Sequence, residues 1–218
     1  MAKGHDNVDL RDIRREYKGE SLRKSEMGND PIAEFADWLT LAAEYHPVDS
    51  TAMVLATATP DGQPSIRTVL LKHFDQQGFC WYTNSASEKG GQLALNPKAA
   101  LQFYWSAMSR QIRISGCVKQ LPRKTAEEYF YSRPEGARFS AAASRQSTVL
   151  QSREEIEAAV KSLHDQHSDG KVPCPEDWAG YCLQPARMEF WQGRGNRLHD
   201  RIVYQRDEKS WVKHRLAP

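Results

Sequence analysis

Apolar residues along this chain follow two periodicities, which predict a helical opening, a run of strands, a helical middle and a strand-rich close. Ile32, Phe35, Trp38, Leu39 and Ala42 repeat at helical spacing behind Asn29-Asp30-Pro31, where Asn29 or Asp30 caps and Pro31 takes the first turn. Residues 52–59 are apolar and β-branched. The turn Pro60-Asp61-Gly62-Gln63 reverses them into a strand over 65–74, and Asp75-Gln76-Gln77-Gly78 leads to another at 79–84. A short helix follows at 87–95, ended by Asn96-Pro97, and then a hairpin of 99–105 and 111–121. Thr125 with Glu128, and Ser152 with Glu155, match the capping box and predict two helices. The first stops before Arg133-Pro134, and the second places Ile156, Val160 and Leu163 on its apolar side. After a proline-rich connection at 171–179, strands are expected at 181–192, 198–205 and 211–216.

Strands joined mainly by hairpins, with helices inserted rather than alternating, exclude a doubly wound parallel sheet. They predict a mainly β fold with α, an antiparallel β-barrel with helices packed outside. Residues 29–218 read as one domain. Residues 1–28, carrying Arg11, Arg14, Arg15, Lys18, Arg23 and Lys24 with almost no apolar periodicity, read as a flexible arm.

Composition narrows the partners. The chain has 218 residues, 39% of them hydrophobic, and no run long enough for a transmembrane helix. Its first residues are charged rather than signal-like, so a cytoplasmic protein is expected. Thirty basic against 28 acidic residues leave a net charge of +2, which gives no nucleic-acid footprint. Cys80, Cys117, Cys174 and Cys182 form no CxxC pair and have no histidine at metal-ligand spacing, so no metal site is expected.

The candidate chemistry is therefore a matter of where the cations fall. In the predicted closing hairpin, alternation puts Arg197, His199 and Arg201 on one strand face, across a Gly/Asn turn from Trp191. Two guanidiniums, an imidazole and an indole suit a planar anionic ligand, although a solvated hairpin face would carry the same residues. Arg67 and Lys72 interrupt an otherwise apolar strand but differ in parity, so one site using both needs a twist, a bulge or a ligand reaching round the edge. Tyr82-Thr83 ends a strand before a helix with Lys89 in its first turn, a favourable place for phosphate. Gln111 and Gln146-Ser147 could read a heterocycle's edge, and Tyr129 with Arg133 could clamp a second phosphate. No GxGxxG, phosphate-binding glycine loop, catalytic triad or HExxH stands out, which points to cofactor-borne chemistry.

Together, Arg14-Arg15-Glu16-Tyr17, residues 67–72, Tyr82-Thr83, Gln111, Ser132-Arg133-Pro134, Gln146-Ser147, Glu189-Phe190-Trp191 and Arg197-Leu198-His199-Asp200-Arg201 resemble, in order, the pyridoxamine 5'-phosphate oxidase family. The resemblance runs from about Arg11 to Pro218. It implies a split β-barrel and a homodimer with flavin mononucleotide (FMN) in clefts at the subunit interface. It also implies oxidation of pyridoxamine or pyridoxine 5'-phosphate to pyridoxal 5'-phosphate, with O2 as acceptor and hydrogen peroxide as product. By that resemblance Arg67, Thr68, Val69, Leu70, Leu71, Lys72, Tyr82, Thr83, Lys89, Gln111, Gln146, Ser147, Trp191 and Arg201 hold the flavin. Lys72, Tyr129 and Arg133 meet the substrate phosphate, and Arg14 and Tyr17 close over the ring. Arg197 and His199 face the ring and are the candidate catalytic residues.

Two positions depart from the family pattern. Ala137 stands where a serine usually bonds the substrate phosphate. Glu88 stands where a basic residue often assists the cofactor phosphate, and it is expected to point to solvent. These departures keep a non-catalytic flavin- or pyridoxal-phosphate-binding module in play, beside a related oxidase acting on a phenazine-type ring.

Overall fold

The structure, a computed structural model, describes residues 9–17, 19–208 and 210–218. Lys18 and residues 1–8 of the expected arm lie outside the described residues. The described elements run α1 (Pro31–Tyr45), β1 (Ala52–Ala58), β2 (Pro64–Leu70), β3 (His73–Asp75), β4 (Gly78–Asn84), α2 (Glu88–Leu95), β5 (Lys98–Trp105) and β6 (Arg110–Gln120). They continue with α3 (Arg123–Ser132), α4 (Glu135–Ala143), α5 (Arg153–Gln166), β7 (Trp178–Gln192), β8 (Asp200–Asp207) and β9 (Ser210–Leu216). Every strand pairing is antiparallel.

The nine strands form one curled sheet, ordered β2-β1-β5-β6-β7-β4-β3, with β8 and β9 branching from β7. The long β7 makes this branching possible. One edge pairs with β6 along most of its length, while the other edge serves β4 over Trp178 to Leu183 and β8 over Arg187 to Gln192. The β6/β7 ladder shifts register between Ser115 and Gly116, beside Pro185. At Gly116 a side chain would collide with the Gln184 carbonyl, so glycine permits the close approach at this irregularity.

The α1 cap forms as the sequence predicts: the Asp30 side chain accepts from the Ile32 amide, and Pro31 opens the helix. Its apolar stripe packs on the sheet, where the fully buried Phe35 ring meets Phe74, Phe79 and Phe103 edge-on at 4.8–5.0 Å. A smaller core joins α3, α4, α5 and the start of β7 around Phe130, Phe139 and Trp178.

Four local expectations are corrected. Residues 65–74 are not one strand, because β2 ends at Leu70 and β3 begins at His73. The Leu71 amide donates to Thr51 O, while the next amide, of Lys72, donates to Cys80 O, so the chain changes neighbour between the two residues. Neither capping box forms. The α3 helix starts earlier, at Arg123, with Pro122 at its N-cap, and Glu155 accepts from the Gln151 amide, one residue too early to close the box on Ser152. The sequence pattern also missed α4, whose only fully buried side chain is Phe139. Finally, β8 starts at Asp200, so Arg197 and His199 are not on a strand. Asn196 and Arg197 adopt left-handed backbone (φ 54° and 62°) in a short 3-10 turn, which removes the shared face with Arg201.

Candidate functional site

A cleft of about 850 Å³ opens between β2, the end of β4, the start of α2 and the α3–α4 junction. Its size is ordinary for a small-molecule site. Arg67, Thr68, Val69, Leu70, Lys72, Tyr82, Thr83, Lys89, Tyr129, Arg133, Gln146 and Ser147 all line it, whereas Leu71 is buried in the core. The chain's change of neighbour at Leu71–Lys72 explains how Arg67 and Lys72 share a cleft despite opposite parity.

One end of the cleft is built on buried cation chemistry. Lys89 is only 8% exposed, and its ammonium meets Gln146 Oε1 at 2.6 Å, Ser87 Oγ at 3.1 Å and Thr83 Oγ1 at 3.3 Å. Burial and the charge of Arg67 push its pKa down, with Glu88 opposing. The Arg67 guanidinium is held by Thr57 Oγ1, Ser65 O at 3.2 Å and Gln92 Oε1 at 3.4 Å, and burial lowers its pKa too. Ser147 sits in left-handed backbone (φ 71°), with its hydroxyl accepting from the Glu88 amide at 3.2 Å. Glu88 does not simply point to solvent as expected. Its carboxylate lines the cleft, accepting from Ser65 Oγ at 2.8 Å and lying 3.9 Å from Arg67.

The other end is an aromatic wall bearing a further cation. Tyr82 and Tyr129 stack with centroids 3.9 Å apart, and Trp178 lies nearly parallel to Tyr129 at 6.4 Å. The Arg133 guanidinium sits 4.6 Å over the Trp178 ring. Its Nη1 is buried without a hydrogen-bond partner among the described residues, and burial lowers its pKa. Sequence reading missed Trp178, which it had put in the proline-rich connection, although an aromatic residue among prolines was the available signal.

The remaining candidates do not line this cleft. Gln111, opposite Trp191 in the β6/β7 ladder, lies near the far end of the sheet. There the Tyr17 ring meets Trp191 and His199 edge-on at 5.5 and 5.3 Å. His199 Nδ1 accepts from the Arg194 amide at 3.1 Å, so the neutral ring carries its proton on Nε2. Burial and the charge of Arg197 lower the His199 pKa. Arg14 and Arg197 are exposed.

Arg201 donates to Glu189 Oε1 at 2.8 Å and to the Ala217 carbonyl at 2.9 Å. Glu189 is 1% exposed, and burial pushes its pKa up. Bonds from Arg201 and Arg187 and the charge of Arg113 outweigh that effect and hold it low. The expected arm is partly fastened. Arg15 donates to Ser106 O at 2.6 Å, the Leu22 amide donates to Asp200, and Met27 is buried in the core.

The arrangement can bind two anionic groups at opposite ends of one cleft beside a flat apolar wall. The pyridoxamine 5'-phosphate oxidase profile matches residues 41–167, and the pyridoxine 5'-phosphate oxidase C-terminal dimerisation region matches residues 178–218. A pyridoxine/pyridoxamine 5'-phosphate oxidase from Rubrobacter xylanophilus is 45% identical over 96% of this chain and 97% of its own length. Another from Thermosynechococcus vestitus is 46% identical over 96% and 99%. The crystal structure of PhzG from Burkholderia lata, in complex with tetrahydrophenazine-1-carboxylic acid, has a TM-score of 0.85 at 32% identity, covering 92% of this chain and 99% of PhzG. An FMN-binding protein from Nostoc punctiforme shares the fold at a TM-score of 0.71 and 17% identity, covering 88% and 100%. Sequence, fold and profile together show that this chain belongs to the pyridoxamine 5'-phosphate oxidase family.

Proposed function

We propose that this chain oxidises pyridoxamine 5'-phosphate and pyridoxine 5'-phosphate to pyridoxal 5'-phosphate, with FMN as cofactor and O2 as acceptor. The observation that carries this reading is a cleft with cations at both ends and too few anions to match. Lys89 is buried among neutral oxygens, and Arg133 holds a buried N–H with no partner. Buried cations of this kind are costly until an anion arrives. The chemistry of the donors therefore fits a flavin phosphate at the Arg67–Lys89–Ser147 end and a substrate phosphate at the Lys72–Tyr129–Arg133 end.

FMN supplies a two-electron acceptor for the substrate's C–H bond. The chain's own residues bind and orient. Lys72, Tyr129 and Arg133 anchor the phosphate, and Tyr82 with Tyr129 excludes water along one wall. Arg197 and His199 face the substrate ring, Arg14 and Tyr17 cover it, and Gln111, Trp191 and Arg201 complete the flavin site. In this reading the second group comes from the other chain of a homodimer. The matched dimerisation region and the separation of the two groups within one chain support that assignment. Four free cysteines fit a reducing, cytoplasmic setting.

The test is an absorbance spectrum of FMN-loaded protein before and after anaerobic addition of pyridoxamine 5'-phosphate. Bleaching of the flavin band, and pyridoxal 5'-phosphate after air is admitted, is expected; no bleaching with either phosphorylated vitamer overturns the reading. The likeness to PhzG favours a second reading, an oxidase of a non-phosphorylated tricyclic ring. Turnover of such a ring in preference to the phosphorylated vitamers would select it.

A further inference from the structure

Glu88 stands beside Arg67 at the end of the cleft proposed above for the flavin phosphate. It is the first residue of α2, where the helix N-terminus favours negative charge. Its carboxylate takes a hydrogen bond from Ser65 Oγ at 2.8 Å and one from Gln92 Nε2 at 3.0 Å, and stands 3.9 Å from Arg67 Nη2. Gln92 and Thr57, which fix this network from below, are 8% and 2% exposed, so the cradle is rigid. The Glu88 side chain is itself 60% exposed, which leaves it a path outward. A solvent-exposed anion thus sits on a buried, cationic, hydrogen-bonding cradle.

We propose that Glu88 is a built-in counter-anion of this phosphate cradle: it holds the Ser65–Gln92–Arg67 position in the free protein and swings to solvent when the cofactor's phosphate enters. The proposal rests on the reading that the cleft takes FMN with its phosphate at the Arg67–Lys89 end. Its consequence is specificity. Competition from Glu88 weakens binding of the phosphorylated flavin and leaves the unphosphorylated flavin untouched, so Glu88 sets how strongly the chain discriminates between FMN and riboflavin. The charge of Glu88 also favours the protonated forms of Arg67 and Lys89, so the carboxylate offsets part of the cradle's positive charge.

The experiment is a titration of flavin-free wild type, Glu88→Gln and Glu88→Ala with FMN and with riboflavin, followed by quenching of flavin fluorescence. Glu88→Gln keeps the size and hydrogen-bonding capacity of the side chain and removes only its charge. It is expected to bind FMN about three- to tenfold more tightly, the range for losing one partly exposed like-charge contact. Riboflavin affinity should not change, and Glu88→Ala should shift in the same direction. Unchanged or weaker FMN binding in both variants, or equal tightening for the two flavins, overturns the proposal while leaving the cofactor assignment standing. A wild type that binds neither flavin overturns the cofactor assignment and this proposal with it.

Discussion

Tyr17 packs directly onto Gly193, leaving no room for a methyl group: a β-carbon at position 193 would stand 2.5 Å from the tyrosine ring. The glycine lets the N-terminal segment lie across the end of β7, where Tyr17 reaches both Trp191 and His199. Gly193→Ala should therefore push Tyr17 away. Because Gly193 is buried and the new carbon would also stand 3.1 Å from Ser109 Cβ, stability should fall by about 1–3 kcal/mol, the usual cost of overpacking. The KM for phosphorylated substrate should rise several-fold, and steady-state kinetics beside a thermal melt would check both. An unchanged KM would remove Tyr17 from the substrate site.

Arg133 and Arg197 should fail in different ways. Arg133 lines the cleft at the end proposed to take the substrate phosphate, where its loss would remove a charge-assisted hydrogen bond of about 1.5–3 kcal/mol. Arg133→Ala should raise the KM for pyridoxamine 5'-phosphate about ten- to a hundredfold with kcat largely kept. Arg197→Ala should chiefly lower kcat, because its proposed role is to hold the ring in reacting position. Identical effects on KM and kcat in both variants would undercut the assigned division.

The sequence made the local decisions legible and hid those made by distant partners. Asp30-Pro31 and Ser87 announced their helices because a cap acts on amides two or three residues away. The split of residues 65–74 was hidden because it depends on which neighbour each amide finds, Thr51 for Leu71 and Cys80 for Lys72. The α4 helix was hidden because it buries little beyond Phe139. At the site, motif order in the sequence put Arg67, Lys89 and Arg133 together, and the cleft contains all three. Pattern alone could not foresee that Trp178 would lie under Arg133, since the two are brought together by packing of α3 on β7.

His199 should titrate below its ordinary value of 6.5, since partial burial and then the charge of Arg197 both disfavour the imidazolium. Both effects favour the neutral ring, whose Nε2–H is then available as a donor. A proton-detected titration of the ring should show its midpoint rising in Arg197→Met, where one of the two causes is gone. Lowered midpoints in both proteins, with no difference between them, would leave burial as the only cause. In wild type the acid limb of activity should lie below pH 6.5, if the neutral ring is the working form.

Lys89 illustrates a conflict between stability and binding that two measurements can resolve. Burial lowers its pKa in the folded chain, whereas the unfolded chain keeps the ordinary value of 10.5. Between the lowered folded value and 10.5 the unfolded state binds more protons, so stability of the flavin-free protein should rise with pH across that window. Below the window both states are protonated, and the buried ammonium remains a constant penalty. Lys89→Met removes the charge at little cost to its neighbours, since Thr83 still bonds Gln146 and Ser87 still bonds the Asn84 carbonyl. The flavin-free variant should melt about 2–4 °C higher at pH 7, the shift for roughly 1 kcal/mol in a chain of this size, and should lose the alkaline rise. Its FMN affinity should fall about ten- to a hundredfold if the proposed cation contact to the flavin phosphate is lost. A variant that melts lower and binds FMN as well as wild type would show that Lys89 is held for the fold rather than for the cofactor.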